Sequence, residues 1–214
     1  MGIVTNPDCV IFAAGNAVPF GIVQPYLKSN PFLIAADGGF ALAKQLGLTP
    51  NLVIGDFDSG KRPDTTVEII ALNPIKDATD SACALEEAVR RGYKNIVLFG
   101  GTGLDRLDHT FANFDLCAYA KTKGTDLMLA DAHHRIFILQ NETAEITDAQ
   151  NQYVSVFAFG GACTVSEEGF FYPLSHYTFA PFCGLGVSNE VTADMARITA
   201  EQGTALIFIT DKDV

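Results

Sequence analysis

The sequence has few basic residues, and it has no apolar run long enough to form a membrane helix. Its 214 residues include 14 lysines and arginines against 25 aspartates and glutamates, which gives a net charge of -11. So acidic a chain binds nucleic acid poorly by bulk electrostatics, and a bilayer span needs roughly 20 apolar residues in a row. We therefore expect no nucleic-acid partner and no membrane association. An anionic substrate would need a metal ion between it and the acidic side chains.

Paired cysteines are also missing. The five cysteines form an odd set, and no two of them stand in a Cys-x-x-Cys pair. This pattern argues against a disulfide framework and against a zinc site. The N-terminus has no basic region followed by a long apolar stretch, as a signal peptide would have. We expect reduced core thiols in a cytoplasmic protein.

Common nucleotide and hydrolase motifs are absent. There is no Gly-x-x-x-x-Gly-Lys-Ser/Thr loop, no Gly-x-Gly-x-x-Gly after the first apolar segment, and no Gly-x-Ser-x-Gly. The chain does contain Gly100-Gly101-Thr102-Gly103 after an apolar segment. Backbone N–H groups of such a loop can approach a phosphate closely, although the same composition also forms plain turns.

Apolar segments alternate with helical patterns over residues 1–132. The predicted strands are 8–15, 32–36, 52–54, 67–72, 95–99 and 127–130, and the predicted helices are 18–29, 40–46, 79–91 and 109–121. In the last helix the spacing predicts Phe111, Phe114 and either Cys117 or Ala118 on the inward face. This alternation predicts a three-layer α/β domain around a parallel sheet.

Residues 133–214 have a different pattern. Short aromatic and β-branched segments are separated by glycine-rich or acidic turns at 153–159, 163–166, 170–174, 177–179 and 206–210. They predict an antiparallel β-sandwich or small barrel as a second domain. A helix over 193–202 is a weaker alternative within it.

Acidic residues follow the ends of the predicted strands. Asp56 and Asp58 come directly after strand 52–54, and residues two apart on an extended backbone point to the same side. Paired carboxylates suit a hard divalent cation such as Mg²⁺, although Asp, Ser and Gly also form turns. Other acids occur at comparable points: Asp37, Asp77, Asp80, Asp105, Asp108 and Asp131. Because open parallel sheets bind ligands beyond the carboxyl ends of their strands, these acids are candidate site residues.

Basic residues stand near these acids. Arg106 follows the glycine-rich loop and is placed either to contact phosphate oxygens or to pair with Asp105 or Asp108. Lys76 precedes Asp77, and His109 is either a general base or a structural residue. Carboxylates for a metal, a glycine-rich turn and two cations together favour phosphoryl or nucleotidyl transfer.

In order along the chain, these motifs resemble the thiamine pyrophosphokinase family. The similarity extends over most of the chain, and the loop before Arg106 is one residue longer than is usual in that family. The matching segments are Ala36–Gly39, Gly55–Ser59, Lys76–Asp80, Arg106–Thr110 with Asn113, Val165–Gly169, Tyr172–Leu174 and Gly186–Glu190.

The resemblance implies transfer of a pyrophosphoryl group from ATP to the thiamine hydroxyl, giving thiamine diphosphate and AMP. It implies Mg²⁺ and a homodimer whose clefts lie between the α/β domain of one subunit and the sandwich of the other. The implied catalytic residues are Asp37, Asp56, Asp58, Asp80, Arg106 and Asp108, of which Asp56, Asp58 and Asp80 hold the metal. The implied ATP and diphosphate ligands are Lys76, Asp77, Thr102, Arg106, His109 and Asn113. The implied thiamine ligands are Asp37, Ser188 and Asn189.

Two alternative functions and the identity of the general base stay open at this point. The first alternative is a nucleotide-sugar transferase, which also uses an acid pair like Asp56 and Asp58, but that function does not account for Asp80 together with Arg106. A non-catalytic nucleotide- or thiamine-binding module would not need the metal acids. The general base is Asp37, Asp108 or none, since metal-assisted transfer needs little help from a base.

Overall fold

The computed structural model describes residues 3–57, 65–73, 75, 77–103, 106–181 and 183–212. The chain divides into two units. One unit is Thr5–Ala132, and the other contains the chain from His133 onward together with the residues before Thr5. Among the described residues, no helix combines the length and apolar character that crossing a membrane would need.

The first unit is built on six parallel strands. They are β1 (Cys9–Phe12), β2 (Phe32–Ala36), β3 (Leu52–Gly55), β4 (Glu68–Ala71), β5 (Asn95–Phe99) and β6 (Asp126–Ala130). Their order in the sheet is β4-β3-β2-β1-β5-β6. The helices between them are α1 (Phe20–Val23), α2 (Gly39–Gln45), α3 (Asp80–Arg90) and α4 (Leu107–Thr122). The parallel α/β class predicted from the sequence is confirmed.

The strand order changes direction between β1 and β5. From β1 the chain moves outward through β2, β3 and β4, and β5 then returns to the other side of β1. Where the order reverses, the loops after the two neighbouring strands diverge and leave a crevice, which is where open α/β sheets bind ligands. The loops after β1 and β5 approach so closely that a Cβ on Gly15 would lie 2.1 Å from the carbonyl oxygen of Gly100.

Two helix predictions need correction. The helix predicted over 18–29 is only α1 followed by a 3-10 turn over Gln24–Leu27, because Pro25 has no N–H to continue an α-helix. In α4 the inward face carries Asn113, Leu116, Cys117 and Ala120, whereas Phe111 is exposed. The predicted inward face was therefore wrong at Phe111 and right at Cys117, and the structure adds a polar residue, Asn113, to the buried positions.

The second unit is antiparallel. Its strands are β7 (His134–Thr147), β8 (Gln152–Ala158), β9 (Cys163–Glu168), β10 (Leu174–Phe179), β11 (Asn189–Glu190) and β12 (Met195–Asp211). The long strands β7 and β12 pair along their length, with an irregularity between Ala200 and Thr204. Beyond it β12 pairs with β8, and before it β12 pairs with β9, which pairs with β10. A Cβ on Gly186 would meet both Val156 on β8 and Phe179 on β10, so the two halves face each other as a sandwich.

Two predictions in this unit were wrong. Residues 193–202 do not form a helix, because Ala196, Ile198 and Ala200 are buried alternately and belong to β12. Residues 170–174 are not a strand. Phe170 makes a single bridge to Val191, and β10 begins only at Leu174.

Candidate active site

A cleft of about 290 Å³ lies at the carboxyl ends of β1, β2 and β5. The strand side of the cleft comes from the residues after these strands, including Gly15, Asp37 and Gly100. The other side comes from the first turns of α3 and α4: Thr79, Asp80, Ser81, Arg106, His109 and Asn113. Predicted residues from four separate segments of the sequence therefore share one cavity: Asp37, Asp80, Gly100 with Gly101, and Arg106 with His109 and Asn113.

The start of α3 brings an acid into the cleft. Thr79 caps the helix, because its hydroxyl accepts a hydrogen bond of 3.2 Å from the Ala82 N–H. Asp80 follows in the first turn, where a negative charge is favourable beside the helix dipole. Its Oδ1 atom is buried. The sequence Thr-Asp thus fixes both the beginning of the helix and the position of a carboxylate at the cavity.

The start of α4 supplies a cation. The Arg106 guanidinium donates to both carboxylate oxygens of Asp108, with Nη2–Oδ2 at 2.7 Å and Nε–Oδ1 at 2.9 Å. This contact lowers the pKa of Asp108 to about 2. Both side chains are about two thirds exposed, at 65% and 64%, and ion pairs exposed to water are weak. The arginine is therefore held at the rim of the cleft by a contact that a phosphate could replace.

The glycine-rich loop after β5 is fixed from two sides. Asn113 donates from Nδ2 to the Gly101 carbonyl oxygen at 2.8 Å, and Thr102 donates from Oγ1 to Asp131. Both Asn113 and Thr102 are buried. These bonds explain why a polar residue faces inward on α4, because it holds the loop that forms one wall of the cavity.

Asp37 and its neighbours have unusual backbone geometry. Asp37 has φ +45° and Phe57 has φ +55°, in the left-handed region that residues other than glycine rarely adopt. The Asp37 N–H donates to the Ile54 carbonyl oxygen at 2.7 Å, so the ends of β2 and β3 are tied together. Strain of this kind clusters at functional sites. Asp56 follows β3 and is partly buried, and Asp77 is exposed.

Three residues expected at the site, Asp58, Lys76 and Asp105, lie outside the described residues. Part of the loop before Arg106, which is one residue longer than is usual in the family, also lies outside the described residues.

Comparison with known proteins gives a consistent result. The model of the thiamin pyrophosphokinase catalytic domain matches residues 23–129, and the model of the thiamin pyrophosphokinase vitamin B1 binding domain matches residues 133–205. The chain belongs to the thiamin pyrophosphokinase family. It is therefore a diphosphotransferase that acts on thiamine. A comparison with curated proteins gives no match.

Solved structures of this family have the same fold. The thiamine pyrophosphokinase from Bacillus subtilis is 25% identical, with a TM-score of 0.85 over 96% of this chain and 99% of that chain. The thiamin pyrophosphokinase from Geobacillus thermodenitrificans is 24% identical, with a TM-score of 0.83 over 96% and 98%. The yeast enzyme is 15% identical, with a TM-score of 0.76 over 96% and 86%.

The vitamin B1 binding domain carries the other two predicted thiamine ligands. Ser188 is exposed and has φ +59°, and its N–H donates to Ser155 Oγ at 3.0 Å. Asn189 is buried, and its carboxamide bonds to Glu167 and to the backbone of Tyr172. Burial raises the pKa of Glu167 to about 7. The sequence reasoning assigned no role to Glu167, although Val165–Gly169 was one of the family motifs.

The carboxylates of the catalytic domain suit a hard cation. Within the described ranges, no group of three or more histidines, cysteines, aspartates or glutamates is close enough to hold a metal ion. Asp37 and Asp80 line the cleft, and oxygen donors of this kind are the ones Mg²⁺ prefers. The donor set thus fits the ion in chemical type, and the expected ligand Asp58 lies outside the described part.

Sequence reasoning missed the small residues that form the floor of the cleft. Ala13 and Ala14 line it after β1, and Ser81 lines it at the start of α3. Alanine and serine carry little signal of their own. For Ala13 and Ala14, the position directly after β1, next to the reversal in strand order, is the feature that would have identified them.

Proposed function

We propose that this chain transfers the pyrophosphoryl group of ATP to the thiamine hydroxyl with Mg²⁺, in the cleft of the catalytic domain. The observation that carries the proposal is the convergence of Asp37, Asp80 and Arg106 on one cavity between two helix N-termini. Helix N-termini favour bound anions through their unpaired N–H groups. The carboxylates of the same cavity disfavour a bare polyphosphate, so a divalent cation is needed between them.

Asp56, Asp58 and Asp80 are the proposed ligands of that ion. Their oxygens match its preference, and the ion when bound would neutralise the diphosphate that is transferred. Asp80 is placed by the capped start of α3, so its position does not depend on a flexible loop. The chain's own residues then orient the substrate, which is most of what phosphoryl transfer requires.

Arg106 is the proposed partner of the phosphate oxygens. The other residues proposed for the ATP and diphosphate side are Lys76, Asp77, Thr102, His109 and Asn113. In this structure the Arg106 guanidinium is bonded to Asp108. Binding of a diphosphate would exchange one anionic partner for another at an exposed position, which costs little. The arginine therefore remains ionised throughout and needs only to rotate.

Asp37, Ser188 and Asn189 are the proposed thiamine contacts. The thiazolium of thiamine carries a permanent positive charge, so the carboxylate of Asp37 is a suitable neighbour for it. We also propose, from the family resemblance, a cytoplasmic homodimer with its clefts between subunits. Sedimentation of a monomer at assay concentration would contradict the dimer.

The test is product formation by the purified protein with ATP and thiamine, in the presence of Mg²⁺ and after chelation. We expect AMP and thiamine diphosphate in equal amounts with Mg²⁺, and neither product in excess EDTA. ADP as the nucleotide product would contradict pyrophosphoryl transfer. Activity that is unchanged in EDTA would contradict the metal.

Asp80→Asn tests the site itself. Loss of one charge that positions the metal and phosphate is expected to lower turnover at least about 100-fold, while far-UV circular dichroism stays unchanged. Asp115→Asn, at an exposed position of α4, is the matched control and should retain wild-type turnover. Asp80→Asn with wild-type turnover would remove Asp80 from the site.

A further inference from the structure

One of the strand-end acids found in the sequence has no part in the proposed reaction. Asp131 directly follows β6. In the parallel register of β5 and β6, Phe99 lies opposite Ala130, so Asp131 and the glycine-rich loop leave the sheet side by side. Asp131 is partly buried, and its carboxylate accepts a hydrogen bond from the Thr102 hydroxyl. The acid is therefore bonded to the loop that forms one wall of the cleft.

The loop Gly100–Gly103 has a single side chain, that of Thr102. Its other three residues are glycines, which have no side chain to pack and lose the most conformational freedom on folding. Gly100 has φ +73° and Gly103 has φ +74°. A side-chain bond made by the loop itself can therefore come only from Thr102.

The proton of the Thr102 hydroxyl is already used. A threonine hydroxyl has one proton to donate, and Thr102 gives it to Asp131. Thr102 is 7% exposed, and a hydrogen bond to a carboxylate is stronger than one between neutral groups. A phosphate oxygen would have to break this buried bond to accept from the hydroxyl.

The wall of the cleft next to this bond is backbone. Gly100 and Gly101 line the cavity, and backbone N–H groups of such a loop can approach a phosphate closely. Asn113 bonds to the Gly101 carbonyl oxygen, and Asp131 bonds to the next residue, Thr102. The place of the loop backbone at the cleft thus depends on two side chains from other elements.

We propose that Asp131 is a positioning residue that acts through Thr102 on the backbone of the glycine-rich loop, and so on the diphosphate of ATP. This rests on the proposed function. Asp131 acts neither as a metal ligand nor as a base, because its task is to accept one hydrogen bond. The role of Thr102 becomes more specific as well, since its side chain supports the backbone that the diphosphate contacts.

The test is a double-mutant cycle with Asp131→Ala and Thr102→Val in the full-length protein, with kcat, KM for ATP and KM for thiamine measured separately. Each single substitution is expected to raise KM for ATP at least about fivefold and to change KM for thiamine less than about twofold, as loss of one such bond should. The double variant should be no worse than the more impaired single variant, because both changes remove the same bond. A purely structural role would lower the melting temperature and kcat and leave KM for ATP unchanged.

Two conservative variants separate the bond from the charge. Asp131→Asn keeps an acceptor oxygen and Thr102→Ser keeps the hydroxyl, so both should keep KM for ATP within about twofold of the wild type. Asp126→Ala is the matched control, because Asp126 begins the same strand and accepts a hydrogen bond from Lys121 Nζ. This variant should leave both KM values unchanged even if its melting temperature falls.

An unchanged KM for ATP in Asp131→Ala would overturn the proposal, and so would effects of Asp131→Ala and Thr102→Val that multiply. Asp131→Asn as impaired as Asp131→Ala would also overturn it, because the charge would then matter and not the bond. If Asp131→Ala does not fold, Thr102→Val and Thr102→Ser replace it, and equal KM values for ATP in these two variants would contradict the positioning role.

A second measurement does not depend on turnover. Binding of ATP with Mg²⁺ in the absence of thiamine is measured by isothermal titration calorimetry. Its Kd should rise at least about fivefold in Asp131→Ala and stay within about twofold of the wild type in Asp131→Asn, and equal Kd values in all three proteins would contradict the proposal. Wild-type protein that binds ATP and forms no thiamine diphosphate would instead overturn the proposed function, so the two failures are distinguishable.

Discussion

The buried carboxyl of Glu167 should make the stability of the protein depend on pH. Its side chain is 3% exposed and bonded to a neutral amide, and burial raises its pKa from 4.5 to about 7. The folded state therefore holds the proton more tightly than the unfolded state does. Stability is complete below about pH 4.5 and is lost as the pH rises through about 7. At about 1.4 kcal/mol per pKa unit, the loss is about 3 kcal/mol.

Glu167→Gln isolates this effect, because the amide does not ionise. The free energy of unfolding, measured by urea denaturation at pH 5, 6, 7 and 8, should fall for the wild type relative to Glu167→Gln as the pH rises. The same substitution at the exposed Glu168 of β9 controls for the loss of one negative charge. Parallel pH curves for the wild type and Glu167→Gln would refute the reasoning.

Three further substitutions test the cleft. Gly15→Ala should lower the melting temperature and the activity, because the new Cβ would lie 2.1 Å from the Gly100 carbonyl oxygen. Gly21→Ala is the control: its new Cβ has nothing within 4 Å, so this variant should be neutral or stabilising. Thr79→Ala removes the α3 cap and should cost about 1 kcal/mol of unfolding free energy in urea, and Thr79→Ser should restore most of it. Asn113→Ala leaves the Gly101 carbonyl without its 2.8 Å bond and should raise KM for ATP more than KM for thiamine, so equal changes in both would contradict a role in the glycine-rich loop.

Local patterns in the sequence were sufficient for most of the catalytic domain. Strands β2 and β5 have the predicted bounds, because buried parallel strands are short continuous apolar runs that end at glycine or aspartate. The start of α3 was also predictable, since Thr79 caps it and an acid follows. The inward face of α4 could not be predicted, because Asn113 is buried through its bond to Gly101. The spacing of apolar residues along a helix does not show a contact with a distant segment.

The sandwich domain was harder to predict for the same reason. Strand β12 runs through Gly203, where φ is +81° and a glycine is required. From the sequence alone, that glycine indicates a boundary between two elements rather than the interior of one strand. The role of Asn189 was equally hidden, because its partners Glu167 and Tyr172 come from other strands and loops. The family resemblance implied a thiamine ligand at this position, and only the fold shows which groups the carboxamide already binds.

The most direct test of the account follows the β-phosphorus of ATP. With ATP labelled at the β-phosphate, thiamine and Mg²⁺, the purified protein should place the label in thiamine diphosphate and release unlabelled AMP. Label retained in ADP, with thiamine monophosphate as the other product, would contradict pyrophosphoryl transfer in this cleft.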